Sequence, residues 1–124
     1  NGVTSTFPGG EVDPEGMRTA RLEIERGERP GPRMFSSGPY FGTARPGWRV
    51  QEMTPDSIRR EVDFWVERGA KGFKAKGIQP DHLRALVDAA HRHGLSVTGH
   101  LDSGVRTTVN PRDAILMGIV CIGR

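Results

Sequence analysis

The fold is decided by residues 54–100, TPDSIRREVDFWVERGAKGFKAKGIQPDHLRALVDAAHRHGLSVTGH, where two amphipathic runs are each followed by a short apolar segment. Each run starts with a proline and stops at a glycine. Proline is preorganised for the first helical position, and glycine suits the left-handed residue after a helix, so both helix ends are marked. The stretch therefore predicts helices over residues 55–68 and 80–93, which alternate with strands over residues 72–76 and 95–100.

One side of each predicted helix is apolar. The apolar positions follow the spacing of a single helical face, at Ile58, Val62, Trp65 and Val66 in the first helix and at Leu83, Leu86, Val87 and Ala90 in the second. Such a face packs against a sheet in a folded domain. We therefore expect these residues to form the core.

The same order of elements extends to both sides of this stretch. A third unit runs from Asn110-Pro111 to Gly118 and into an apolar strand at residues 119–122. Upstream, residues 3–7, 14–26 and 33–36 predict a strand, a helix and another strand. Helices that alternate with strands predict an α/β fold with a parallel sheet, and ligands of such sheets collect at the carboxyl ends of the strands.

Residues 37–53 contain three aromatic residues and several glycines and prolines without a clear period, so they predict a long loop. Loops of this length in compact domains are often lids or binding loops. Trp48 and Phe41 either fasten the loop to the body of the domain or contact a substrate directly. Tyr40 is the candidate substrate-binding residue.

Composition and charge limit the classes of partner that this protein can have. The chain has 124 residues, 35% hydrophobic and 27% charged, which is enough for one domain core. Because it opens on Asn1 and stops just after a strand, we expect a single segment of a longer protein, incomplete at both ends. The net charge of +3 comes from arginines interleaved with carboxylates on helix faces, so we expect no nucleic-acid partner.

Other classes of protein are also disfavoured. Cys121 is the only cysteine, so there is no disulfide framework or cysteine metal site, and we expect it to be a small buried residue of an apolar strand. No apolar run approaches the ~18 residues that a membrane span needs, so no membrane partner is expected. The cytoplasm is the default compartment, although an export signal could precede Asn1.

Two lysines share one side of the strand at residues 72–76. Alternate side chains of a strand face opposite sides, so Lys74 and Lys76 project together. A lysine on the covered face of a sheet is costly unless it is neutralised, paired or modified. The alternative is that the strand ends at Phe73 and both ammonium groups reach water.

His100 ends the next strand, at the same rim as the two lysines. Thr98 and His100 share a face, and Asp102 either orients the imidazole or caps the following turn. An isolated histidine is more often structural than a ligand, but its position one βα unit from Lys74 favours a joint metal site. We expect the remaining histidines, on the helix at residues 80–93, to be solvated; they are His82, His91 and His93. No residue shows a nucleophile, dinucleotide or P-loop pattern, so no catalytic residue is assigned.

Several short motifs in fixed order resemble one family along essentially the whole chain. They are Gly2-Val3-Thr4-Ser5-Thr6 before Pro8-Gly9-Gly10, Pro30-Gly31-Pro32-Arg33 before Ser37-Gly38-Pro39, Gly69-Ala70 before Phe73-Lys74, and His91-Arg92-His93-Gly94-Leu95 before Gly99-His100. Together they resemble the amidohydrolase superfamily of metal-dependent hydrolases, in the branch of imidazolonepropionases and Xaa-Pro dipeptidases.

The resemblance implies a (β/α)₈ barrel of the TIM type, of which this chain would be the part from about strand 2 to strand 6. It implies that Lys74 is a carboxylated lysine that bridges divalent metals, most simply one or two zinc ions, and that His100 is a metal ligand. It also implies hydrolysis of a carbon–nitrogen bond by a metal-activated water. Carboxylation would turn a costly buried cation into an anionic oxygen ligand.

The sequence departs from that family at its ends. The His-x-His pair of strand 1 and the aspartate of strand 8 would fall outside this segment, and Arg124 stands where a strand-6 histidine is expected. Arginine stays protonated and cannot bind a cation. Two hypotheses remain: part of an amidohydrolase acting on a small amide, cyclic amide or dipeptide, or a non-catalytic α/β half-barrel that binds a small ligand or self-associates. Open strand edges at residues 3–7 and 119–122 predict a homo-oligomer or aggregation.

Overall fold

The computed structural model describes residues 2–101 and 109–123 and shows short strands alternating with helices. Asp102 and Arg124, which carried predictions above, lie outside the described residues. In chain order the elements are β1 (Ser5–Thr6), α1 (Pro14–Glu25), β2 (Arg33–Met34), β3 (Tyr40–Phe41), α2 (Pro55–Glu67), β4 (Phe73–Lys76), α3 (Pro80–Arg92), β5 (Val97–His100), α4 (Pro111–Met117) and β6 (Cys121–Gly123).

The helices begin and end where the sequence predicts, within one residue. Each starts with proline in its first turn, and the Thr54 hydroxyl accepts a hydrogen bond from the Ser57 amide while the Ser57 hydroxyl accepts one from the Thr54 amide. This reciprocal cap satisfies two amide groups at the start of α2. After α2, α3 and α4 the chain turns through Gly69, Gly94 and Gly118, all with positive φ, so glycine is required for these turns.

The neighbouring strands in the described part of the chain are all parallel. One sheet has the order β3-β4-β5-β6, and β1 pairs with β2. Bridges join the two groups, from Glu11 to Pro39 and from Ser36 to Ala70. The bridge from Glu11 to Pro39 has the same register as the pair of Ser5 with Arg33, and the bridge from Ser36 to Ala70 has the same register as the pair of Tyr40 with Lys74. β2 and β3 are therefore two parts of one interrupted strand. The predicted α/β fold with a parallel sheet is confirmed.

The loop predicted over residues 37–53 is wrong at its start. Tyr40–Phe41 is a strand that pairs with Lys74–Ala75 of β4. Gly38, with φ of 60°, interrupts the path between β2 and β3 and removes the alternation that would reveal a strand in the sequence. Phe41 is fully buried and meets Phe73 edge-on, with ring centroids 5.7 Å apart. Phe41 is therefore a core residue of the sheet.

The core lies between the sheet and helices α2 and α3. As predicted, Ile58, Val62 and Trp65 of α2 are buried, and so are Leu83, Leu86, Val87 and Ala90 of α3. They pack on the face of the sheet that carries Phe41, Phe73, Ala75 and Val97. The opposite face is consequently the one that presents Lys74 and its neighbours.

Helix α1 is attached differently, because none of its residues is buried. Arg21 donates hydrogen bonds of 3.1 Å from both terminal nitrogens to the backbone oxygens of Gly69 and Arg68. This guanidinium thus supplies partners for carbonyl groups at the carboxyl end of α2.

The outer strands leave apolar side chains in water. Val120, just before β6, and Val3 and Phe7, on either side of β1, are exposed, as are Ile115 and Leu116 of α4. Within the described residues β6 has a single neighbouring strand, β5. The association of such edges stays a prediction. No helix among the described residues has the length and apolarity to cross a membrane.

Candidate metal and substrate site

Polar side chains line the face of the sheet opposite the core. Tyr40, Lys74, Thr98 and Cys121 are in register across four neighbouring strands, and Lys76, His100 and Gly123 form the next row toward the carboxyl ends. Partners in a parallel register project to the same side. The two rows therefore share one surface at the rim where the sequence predicts a ligand site.

Lys74 is buried on this surface, with 6% of its area exposed. Burial lowers the pKa of Lys74 below its ordinary value of 10.5, the charge of Lys76 lowers it further, and the Cys121 thiol group opposes both. Among the described residues no carboxylate forms an ion pair with Lys74. The alternative in which β4 ends at Phe73 and this ammonium group reaches water is wrong, because β4 continues to Lys76.

His100 lies one strand and one row away from Lys74. Its register partner is Lys76, and the partner of Lys74 is Thr98, so Lys74 and His100 are diagonal neighbours on one face. With strands about 4.8 Å apart and a rise of about 3.3 Å per residue, their Cα atoms are about 8 Å apart. Side chains of this length can meet at one ion over that separation. The metal-binding role of both residues stays a prediction.

Tyr40 stands beside Lys74 on the neighbouring strand and reaches toward Lys76. The Nζ atom of Lys76 lies 6.0 Å from the centre of the Tyr40 ring. Gly10 packs against this ring so closely that a Cβ atom there would overlap it. Tyr40 therefore lines the same surface as the two lysines, and its contact with a substrate stays a prediction.

The prediction that all three helical histidines are solvated is wrong for His82. His82 is 4% exposed, and its Nε2 lies 3.1 Å from the Met53 carbonyl oxygen. The Trp48 ring meets it edge-on at 6.2 Å. His91 and His93 are exposed as expected, although His93 contacts Asp63 at 2.6 Å. His82 is buried because the segment after β3 folds across the start of α3.

Trp48 fastens that segment to the body of the domain. It is partly buried against the core and lies edge-on to Phe41 at 6.2 Å. The amide of Thr43 also donates to the Gly77 carbonyl oxygen at 3.1 Å. Of the two interpretations of these aromatics, the contacts favour the structural one for Trp48 and Phe41.

Cys121 is exposed, which corrects the expectation of a small buried residue. It pairs with Thr98 in β6, so its side chain shares the polar face with Lys74. Its exposure follows from the outer position of β6 among the described strands, where Val120 and Ile122 are exposed as well, and the apolar character of these neighbours in the sequence did not reveal it.

The sequence analysis also missed a buried carboxylate, Glu11, which is 3% exposed. Burial raises the pKa of Glu11 above its ordinary value of 4.5, while hydrogen bonds from the Ser37 amide and the Ser36 hydroxyl and the charge of Arg21 oppose the rise. The contacts join the path of β1 to the path of β2 and β3. Glu11 follows the Gly9-Gly10 turn, and only its burial distinguishes it from an ordinary turn residue.

The donor set for a metal is partial. Within residues 2–101 and 109–123, no three His, Cys, Asp or Glu side chains converge as an ion site. Lys74 and His100 supply two positions on one surface. The buried Lys74, which has no ion-pair partner within residues 2–101 and 109–123, fits the carboxylated lysine that the sequence resemblance implies, because an amine is a metal ligand only after it loses its proton or is converted to a carbamate.

The geometry defines a segment of a parallel α/β barrel with its candidate site at the carboxyl ends of the strands. No protein-family profile matches the chain, and no curated protein matches it. Several solved structures, in contrast, are similar to this chain. A protein from Bifidobacterium longum assigned as a prolidase shares 27% identity over 98% of this chain and 32% of its own length, with a TM-score of 0.70.

Two further structures are similar. A Xaa-Pro dipeptidase with methionine bound in its active site has 22% identity and a TM-score of 0.71, covering 96% of this chain and 36% of that one. A bottromycin amidohydrolase has 26% identity and a TM-score of 0.61, covering 85% and 24%. The chain spans about a third of the length of the first two. It has an amidohydrolase-like fold and forms part of that barrel, as the sequence resemblance predicts.

Proposed function

We propose that this chain supplies part of the metal site of a metal-dependent amidohydrolase that hydrolyses carbon–nitrogen bonds in a small substrate. The observation that carries the proposal is the buried Lys74, which has no ion-pair partner among the described residues and lies diagonally beside His100. The similarity to prolidase, dipeptidase and amidohydrolase structures supports the same class of reaction.

Lys74 is prepared for carboxylation by its surroundings. Burial lowers its pKa, so the neutral amine that can react with carbon dioxide is more abundant than for a lysine in water. The nitrogen lone pair attacks the carbon of CO₂, an N–C bond forms, and one N–H proton leaves to solvent. The product is a carbamate anion whose two oxygens are metal ligands.

Carboxylated Lys74 and neutral His100 would hold one or two divalent ions, with zinc the best match for an oxygen and an imidazole donor. When bound, the metal supplies Lewis-acid activation of water and of the substrate carbonyl. The protein residues hold and orient the reactants. His100 ends β5 at the rim, and Tyr40 borders the space in front of Lys74.

The substrate we propose is a small molecule with an amide-type bond, such as a dipeptide, a cyclic amide or an N-acyl amino acid. Among the solved structures similar to this chain, a Xaa-Pro dipeptidase has methionine bound in its active site, and a prolidase is in complex with N-methylphosphonate-L-proline. Both molecules are amino acids or amino-acid derivatives. They support a substrate of this size for the full-length protein.

The test measures metal content and carbamate together. Full-length protein should contain one or two zinc-like ions, give a carbamate ¹³C signal after incubation with ¹³C-bicarbonate, and hydrolyse dipeptides. Lys74→Ala should lose the signal, bind less metal and lose activity by about a thousandfold, since several kcal/mol of transition-state stabilisation disappear. Lys71→Ala removes an exposed lysine and should change none of these.

A different outcome would support the alternative hypothesis. Full-length protein that binds no metal and keeps an unmodified Lys74 would contradict the hydrolase proposal. Such a protein would fit a non-catalytic half-barrel that binds a small ligand or self-associates.

A further inference from the structure

Lys76 lies two residues after Lys74 on β4, and its half-buried side chain projects from the same polar face. A rise of about 3.3 Å per residue puts the two Cα atoms roughly 7 Å apart, a separation that two lysine side chains can bridge. Among the described residues, no carboxylate lies within ion-pair distance of either ammonium group. The proposed metal site uses Lys74 and His100 and leaves Lys76 without a role.

The ammonium group of Lys76 leans back along the strand toward Lys74. Its Nζ atom lies 6.0 Å from the centre of the Tyr40 ring, and the register partner of Tyr40 is Lys74. An aromatic face attracts a cation, and Gly10 packs against this ring and confines it. The charge of Lys76 is also one of the causes that lower the pKa of Lys74, so the two groups interact.

Carboxylation changes the charge of the Lys74 side chain by two units, because an ammonium group with charge +1 becomes a carbamate with charge −1. A cation fixed nearby disfavours the first state and favours the second, so its Coulomb energy acts twice on one equilibrium. A carbamate on a buried side chain also needs a counter-charge until a metal ion binds. Lys76 supplies that counter-charge from the next position on the same face of β4.

We propose that Lys76 is a positioning residue that promotes the carboxylation of Lys74 and holds the carbamate before a metal ion binds. The Lys76 ammonium group donates a charge-assisted hydrogen bond to a carbamate oxygen. Carbon dioxide is the co-reactant: the N–C bond forms, one C=O electron pair moves onto oxygen, and one N–H proton goes to solvent. This inference rests on the proposed function, because it names how the same site acquires its oxygen ligand.

The test measures the carbamate in metal-free, full-length protein, where no metal ion can supply the counter-charge. The protein is titrated with ¹³C-bicarbonate at fixed pH and low ionic strength. The carbamate ¹³C signal that Lys74→Ala removes reports the occupancy of the site. Lys76→Gln removes the charge at position 76, Lys76→Glu reverses it in a side chain of nearly the same shape, and Lys76→Arg keeps it.

We expect the bicarbonate concentration at half occupancy to follow the charge at position 76. Across roughly 7 Å, even at the dielectric constant of water of about 80, one cation acting on a two-unit change shifts this equilibrium by about tenfold. Lys76→Gln should therefore raise the concentration by about tenfold and Lys76→Glu by about a hundredfold, whereas Lys76→Arg should stay within about threefold of wild type. Lys71→Gln, at an exposed lysine, is the matched control and should behave like wild type.

The outcomes separate the two proposals. Thermal unfolding checks that each variant is folded, and the graded charge series stays conclusive if one variant is lost. Wild-type occupancy in Lys76→Gln and Lys76→Glu, or an equal loss in Lys76→Arg, would overturn the role of Lys76 alone. A carbamate that forms only in metal-loaded protein would do the same, because the metal ion would then be the whole counter-charge. Wild-type protein without a Lys74 carbamate in either state would overturn the proposed function itself.

Discussion

Replacing Lys74 with methionine should stabilise the fold while it removes the proposed function. The side chain is 6% exposed, and a buried ammonium group without an opposite charge costs folding free energy because water solvates it better. Methionine has a similar length and no charge, so it can fill the same space. In metal-free buffer without bicarbonate we expect Lys74→Met to be about 1–3 kcal/mol more stable than wild type at pH 7.

The pH dependence of this difference has a definite sign. Burial lowers the pKa of Lys74 below 10.5, so the folded protein releases this proton more readily than the unfolded chain does. The contribution of Lys74 to stability is therefore present above 10.5 and is lost as the pH falls through the lowered pKa. Lys74→Met has no such group, so its advantage over wild type should shrink between pH 7 and pH 10.

Urea unfolding of full-length protein at pH 7 and pH 10 measures both effects. Lys71→Met is the control, because this lysine is exposed and its replacement should change stability by less than about 0.5 kcal/mol. The reasoning fails if Lys74→Met is less stable than wild type at pH 7, or if its advantage does not depend on pH.

Three further predictions, the first with a control variant, test the packing and the polar contacts. Leu86→Ala, at a fully buried position of α3, should lower the free energy of unfolding in urea by about 2–5 kcal/mol. Leu116→Ala, at a position 76% exposed, should lower it by less than about 0.5 kcal/mol. Similar losses for the two variants would contradict the assigned core. Burial raises the pKa of Glu11, so the stability that this carboxyl group contributes is present below pH 4.5 and is lost as the pH rises through the raised pKa. Glu11→Gln should therefore make the free energy of unfolding less dependent on pH above 4.5. An unchanged dependence from about pH 4 to 8 would refute this. Gly10→Ala should lower the melting temperature, since φ is 100° there and the new Cβ would overlap Tyr40, and an unchanged melting temperature would show that the ring is free to move.

The sequence predicted the elements whose signals are local. Proline and glycine marked the ends of α2 and α3, and a single apolar face identified the buried residues of both helices. The parallel order of β4 and β5 followed from the alternation of helices and strands. The same order predicts that Lys74 and His100 lie at one rim, and the register of β4 and β5 places them on one face there.

Features that depend on distant contacts were not predictable in this way. Tyr40–Phe41 is too short to show alternation, and it is a strand because β4 pairs with it. His82 looked solvated because its helix turn is polar, but a segment almost thirty residues earlier, ending at Met53, covers it. Glu11 is buried through contacts with Ser36 and Ser37 that no local pattern announces.

The attachment of α1 by Arg21 has a consequence for local opening of the molecule. A helix with no buried side chain is held by few interactions that water cannot replace, so separating it exposes little apolar surface. Its amide protons should exchange with deuterium well before those of α3, where seven residues are buried. The amino-terminal βα unit can therefore open as a small independent unit while the strands that carry Lys74 and His100 remain closed.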